Sequence, residues 1–133
     1  MNDAGVHIEW RSSVKQCENT QGSIFIDISN RTSEANHSGA FAYALPYEGT
    51  RIVLFYDRVL EITWPGRVPG VLGHVLAHEI THVLQGVARH SGVGVMKAKW
   101  DYLDHGEMQH NYLKLTGEDI CLIRTGKFEV ALR

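Results

Sequence analysis

The run His78-Glu79-Ile80-Thr81-His82 constrains this chain more than any other, because two histidines four residues apart share one face only if a helix forms through them. The surrounding residues favour that helix. Val71, Leu72, Val75, Leu76, Ala77, Ile80, Val83 and Leu84 recur at helical spacing between Pro69-Gly70 and Gly86. Apolar residues crowd both sides of the histidines, so the imidazole face looks toward a cleft and not toward bulk water. Two imidazoles one turn apart suit a single zinc ion, and Glu79 beside them suits a base acting on water at the metal. So short a pattern also arises by chance on solvated helices, and the apolar flanks argue against that here.

Catalytic zinc takes three protein ligands and leaves a fourth position for water, so a third ligand must come from elsewhere in the chain. His90 stands eight residues after His82. An unbroken helix would carry it roughly 12 Å along the axis, too far for a Zn–N bond of about 2 Å. Gly86 sits where a left-handed residue ends a helix and lets the chain turn back. Asp101, Asp104, His105, Glu107 and His110 are rivals that could reach back from a second helix, although each is of a type usually found on a solvated face. His74 lies one turn before His78, but three histidines in line on a straight helix cannot reach one ion, so it reads as a supporting or surface residue. Ser91 reads as a turn residue. Met96 reads as an adaptable packing residue beneath the ligands, with no chemistry of its own.

Taken together, His78-Glu79-x-x-His82, Gly86, His90-Ser91 and Gly94-Val95-Met96 resemble the metzincin zinc endopeptidases. In that family a glycine ends the active-site helix, a third histidine completes the site and a methionine turn lies beneath the metal. More narrowly, the run is similar to small bacterial zinc-dependent protease-like proteins in which His-Ser-x-x-Gly-Ile-Met precedes a basic residue and a tryptophan, as Met96 precedes Lys97 and Trp100 here. Tyr43-Ala44-Leu45-Pro46 and Phe55-Tyr56-Asp57-Arg58-Val59 look like the same group, so the resemblance covers roughly residues 40 to 101. The spacing departs from the family's: Gly86 and His90 stand four and eight residues after His82, where the metzincin pattern has three and six.

The resemblance implies a zincin-like α+β domain in which a small mixed β-sheet packs on the active-site helix, followed by a methionine-turn loop and a C-terminal helix. It implies Zn2+ held by His78, His82 and His90, with Glu79 as general base and Gly86 and Met96 in support. The implied activity is metalloendopeptidase cleavage of a peptide or protein substrate, with the segment from Ala40 to Leu45 as the edge strand that pairs with it. Tyr102 and His105 are candidate donors to the oxyanion. The alternative is a non-catalytic zinc-binding module with the same fold. A metzincin sheet starts with a strand and a backing helix ahead of these segments, which leaves an N-terminally trimmed chain as an open reading.

Elsewhere, Val6 to Trp10 and Ser23 to Ser29 have strand composition, the latter alternating Ile24, Ile26 and Ile28 against Phe25 and Asp27. Asn30 to Gly39 reads as a polar loop, and Ala40 to Leu45 as a short aromatic strand ended by Pro46. Arg51 to Leu60 reads as a further strand passing into a helical turn, and Lys99 to Tyr112 as weakly helical. Thr116, with Asp119 three residues on, resembles an N-cap pair opening a last helix through Arg124, with Gly126 beyond it. Strands first and then a ligand-bearing helix again give an α+β domain.

At 133 residues and 44% hydrophobic, residues 1–133 suffice for one core and one domain. A formal net charge of −2 with both signs dispersed argues against nucleic acid and anionic membrane as partners. No run approaches the roughly 18 to 20 apolar residues of a membrane span, and Met1 to Gly5 has no signal-peptide character. A soluble chain is expected, secreted or periplasmic if an export signal was trimmed. Oligomeric state is left open. Cys17 and Cys121 form no Cys-x-x-Cys motif, and remain either a bridge from the early segment to the last helix or two thiols.

Overall fold

Val68–Gln85 forms an 18-residue helix, and the other elements are arranged around it. The computed structural model describes residues 4–12, 23–30, 40–44 and 51–126. Within them the chain runs β1 (Phe25–Ser29), β2 (Ala42–Ala44), β3 (Arg51–Phe55), α1 (Tyr56–Ile62), a 3-10 turn (Pro65–Arg67), α2 (Val68–Gln85), α3 (Tyr102–Glu107) and α4 (Gly117–Thr125). This is a mixed α/β arrangement compatible with an α+β class.

The sheet has the order β1-β3-β2. β1 lies parallel to β3, with Phe25 opposite Arg51 and Ser29 opposite Phe55. β2 lies antiparallel to β3, with Ala42 opposite Leu54, and forms the other edge of the described sheet. Ile52 and Leu54 project from one face of the central strand, because side chains two apart point the same way. Each reaches a different apolar cluster on α2. Leu54 joins Ala42, Val59, Val71, Val75, Val95, Met96, Met108 and Leu113, whereas Ile52 joins Ala4, Val6, Ile80, Val83, Leu84 and Ile123. Burying each aliphatic side chain of this kind contributes about 1.5–3 kcal/mol. The continuous burial of residues 78 to 85 follows from α2 lying between the two clusters.

Three expectations need revision. Residues 6–10 form no strand; Val6 instead packs against the C-terminal half of α2, where burial satisfies its side chain without a sheet partner. The helical segment expected from Lys99 to Tyr112 narrows to Tyr102–Glu107, opened by a reciprocal cap between Asp101 and Asp104. Ile28 continues the alternation of Ile24 and Ile26 yet is 64% exposed, so the strand's apolar face runs past the part that meets the core. Residues 31–39, within the expected polar loop, and Leu45 and Pro46 lie outside the described residues. Among the described residues no helix is long and apolar enough to cross a membrane.

After α2 the chain reverses. Gly86 takes φ 70° and ψ 16°, and its N–H closes on the His82 carbonyl at 2.9 Å. Ser91 N–H donates to the Met96 carbonyl at 2.8 Å, and Lys97 N–H to Gly94 at 3.3 Å, folding the chain around Val95 and a fully buried Met96. Gly94 has φ 82°, and a Cβ placed there would fall well inside contact distance of the Lys114 carbonyl oxygen. Open space surrounds Gly86. Gly86→Ala is therefore expected to cost only left-handed strain, about 1 to 2 kcal/mol, and Gly94→Ala distinctly more. Urea denaturation of the two variants measures the difference, and equal costs would contradict the packing of Gly94 on Lys114.

Candidate metal centre

His78 and His82 lie one helical turn apart on α2, and the reversal at Gly86 brings His90 back to them. The His82 Nε2 stands 3.0 Å from His78 Nε2 and 3.3 Å from His90 Nε2. Among the described residues these three are the group whose ligand atoms all lie within 4.8 Å of one another, and they could hold a metal ion. His78 and His82 are buried, whereas His90 is exposed, so the cluster opens to solvent on one side. Asp101, Asp104, His105, Glu107 and His110 do not join it.

Hydrogen bonding fixes which nitrogens face inward. A carbonyl oxygen only accepts, so His78 Nδ1 donates to Val95 O at 2.7 Å and His82 Nδ1 donates to Val87 O at 3.2 Å. Neutral rings protonated at Nδ1 carry bare lone pairs at Nε2. Burial lowers the pKa of His78, and burial together with His78 pushes His82 down to about 4, so both rings are neutral at pH 7. Two acceptors 3.0 Å apart form no hydrogen bond; their approach calls for an electrophile between them. Tetrahedral coordination at a Zn–N distance of 2.0 to 2.1 Å separates nitrogens by about 3.3 Å. The donor set therefore fits a cation bound through three imidazoles.

Glu79 stays outside the ligand cluster. It is only 9% exposed, and burial alone raises its pKa to about 7, with no charged or hydrogen-bonding partner among the described residues opposing the shift. Such a group destabilises the fold unless it is neutral or meets a cation.

The Val95 carbonyl that orients His78 also accepts from Trp100 Nε1 at 3.2 Å, and the Trp100 ring lies edge-on to His78 at 5.8 Å. His74 is neither a ligand nor a surface residue. It is buried, with Nδ1 donating to Gly70 O at 2.7 Å and Nε2 accepting from Leu113 N–H at 2.9 Å. Met96 packs in the apolar cluster with Val71 and Val75. Tyr102 is 82% exposed, and His105 lines a separate cavity of about 540 Å³ with Trp64, Arg67 and Met108. Cys121 is exposed on α4, and Cys17 lies outside the described residues.

Sequence reasoning missed the part played by Asp119, noted only as a helix cap. Its fully buried carboxylate receives Arg89 and Ser91, the two neighbours of His90. Burial pushes its pKa up, but bonds from the Thr116 backbone, Ser91, the Thr116 side chain and Arg89 outweigh burial and hold it below the ordinary value. The cap pattern was the available signal, but it says nothing of the second use.

No protein-family model, curated protein or solved structure matches this chain.

Glu79 gives a pH test of the metal-free protein. Its folded pKa, about 7, lies above the ordinary 4.5, so its contribution to stability is full below pH 4.5 and lost as pH rises through 7. Glu79→Gln is expected to stabilise metal-free protein at pH 8 by up to about 3 kcal/mol and to bring no gain at pH 4. His82 titrates in the opposite sense in both proteins and cancels from the difference. Urea melts across this range in the presence of a chelator measure it; a gain independent of pH would exclude a buried, titrating Glu79.

Proposed function

We propose that this protein is a zinc-dependent metalloendopeptidase with a metzincin-like zincin fold. One observation carries the reading: three imidazole nitrogens converge at an opening to solvent, and Glu79, next to His78 in the chain, is a buried acid with no partner among the described residues. A structural zinc site closes all four positions with protein ligands, whereas a catalytic site keeps one open. A base has a use only in the second.

His78, His82 and His90 would hold the ion, and imidazole nitrogen is a ligand type that suits zinc. Bound there, zinc supplies Lewis acidity that brings the pKa of water to about 7 and polarises a scissile carbonyl. The carbonyls of Val95 and Val87 keep the rings of His78 and His82 in the tautomer that presents Nε2. With a cation nearby the Glu79 carboxylate is favoured in its ionised form, the form needed to accept a proton from water and pass it to the leaving amine. β2, at the edge of the described sheet, offers main-chain groups for an extended peptide to pair with.

Two measurements test this reading. Protein purified without chelator or polyhistidine tag is expected to hold one zinc per chain. His90→Ala is expected to weaken binding as severely as His82→Ala, while His105→Ala and Asp104→Ala leave it intact; the opposite ranking would relocate the third ligand. In a broad peptide library, Glu79→Gln is expected to keep the metal and lose cleavage by roughly 10² to 10⁴. Fully loaded wild-type protein that cleaves nothing would favour the zinc-binding module instead.

A further inference from the structure

His90 is held differently from the other two histidines of the centre. His78 and His82 are fixed by the helix and by Nδ1 bonds to carbonyls, but no such bond anchors His90 Nδ1 among the described residues. His90 is exposed, and it follows the left-handed turn at Gly86 on chain that belongs to no helix or strand. A flexible ligand that must be immobilised on binding weakens affinity by the entropy it loses, so something else has to set its position.

Both of its neighbours bond the same atom. Ser91 Oγ donates to Asp119 Oδ1 at 2.8 Å, and Arg89 Nη1 donates to that oxygen at 2.9 Å. The other oxygen, Oδ2, accepts from Thr116 N–H at 2.8 Å, which fixes the carboxylate on the first turn of α4. Gln85 Nε2, one turn beyond His82, donates to the Asp119 backbone carbonyl at 3.0 Å. Asp119 therefore ties the histidine helix, the return loop and the last helix together. Its side chain is 0% exposed, so these charge-assisted bonds are shielded from water, unlike the outer contact from Arg89 to the exposed Glu118 at 2.7 Å.

We infer that Asp119 is a positioning residue: by holding Arg89 and Ser91 on either side of His90, it fixes His90 as the third metal ligand. The inference rests on the metal-centre reading above and names what makes that centre three-coordinate. The charge of Asp119 also reaches His78 and His82, so the share of its effect that disappears when His90 is removed is what separates positioning of His90 from a general electrostatic or stabilising role.

The test is a double-mutant cycle on the full chain, with Zn2+ affinity measured by competition against a chelating indicator. The absorption spectrum of the Co2+ form reports the ligand set. Asp119→Asn is expected to lower Zn2+ affinity roughly 10- to 100-fold, the range found when a group orienting a ligand is removed. The Co2+ spectrum should move toward that of His90→Ala. On a His90→Ala background the same substitution should cause a much smaller loss, because two changes acting through one ligand are not additive and only the charge felt by His78 and His82 is left to lose. An equal loss on both backgrounds, or no loss with His90 present, would overturn the inference. Should Asp119→Asn fail to fold, Ser91→Ala and Arg89→Leu leave the α4 cap intact and carry the same comparison. If wild-type protein takes up neither Zn2+ nor Co2+, or if His90→Ala leaves affinity unchanged, the metal centre itself falls. If His90→Ala weakens binding and Asp119→Asn does not, only the role of Asp119 falls.

Discussion

A helix buried along its last two turns can carry polar side chains only if each finds a partner, since an unpaired buried donor or acceptor costs about 1–3 kcal/mol. α2 meets that demand by binding the backbone of the chain that follows it. His74 engages Leu113, His78 engages Val95, His82 engages Val87 and Gln85 engages Asp119 through Nε2, while Thr81 turns back to Ala77 on the helix itself; among the described residues Gln85 Oε1 is the buried side-chain atom left without a partner. The path of the chain from Val87 to Asp119 is in this sense set by the polar side chains of one helix. The apolar clusters on either side supply the driving force, and the polar contacts decide where the returning chain lies.

Glu79 is a different case. Among the described residues it has no donor, and burial raises its pKa to about 7. Ordinary selection for stability would replace such a carboxylate with an amide or an apolar residue. Its place in the chain beside His78, whose ring converges with those of His82 and His90, is the kind of local cost that functional sites carry. The lone pairs of His78 and His82, whose Nε2 atoms approach to 3.0 Å, would be relieved by one cation between them.

Asp119 links this local chemistry to the remote end of the chain. Its backbone N–H and Oδ2 form the α4 cap with Thr116, its Oδ1 accepts from the loop that carries His90, and its carbonyl accepts from Gln85 on α2. The last helix thus takes part in the centre although none of its residues joins the ligand cluster. Met96 contributes by packing alone, filling the space next to Val71 and Val75 under the loop.

The sequence by itself determined what depends on near neighbours. The α2 helix, its histidine pair, its stop at Gly86, the Thr116–Asp119 cap and the sheet strands at Phe25–Ser29 and Arg51–Phe55 are all carried by periodicity or capping within a few residues. What needed the tertiary structure was every relation across the loop. Val6 to Trp10 has strand composition but forms no strand, because a strand requires a partner that composition does not name. His74 could not be separated from a surface residue until Leu113 was placed against it. His90 and its five rivals were alternatives on spacing alone, since the direction a chain takes after a glycine depends on what packs against it. Here that is a buried carboxylate 29 residues further on, whose contacts with Arg89 and Ser91 no local pattern encodes.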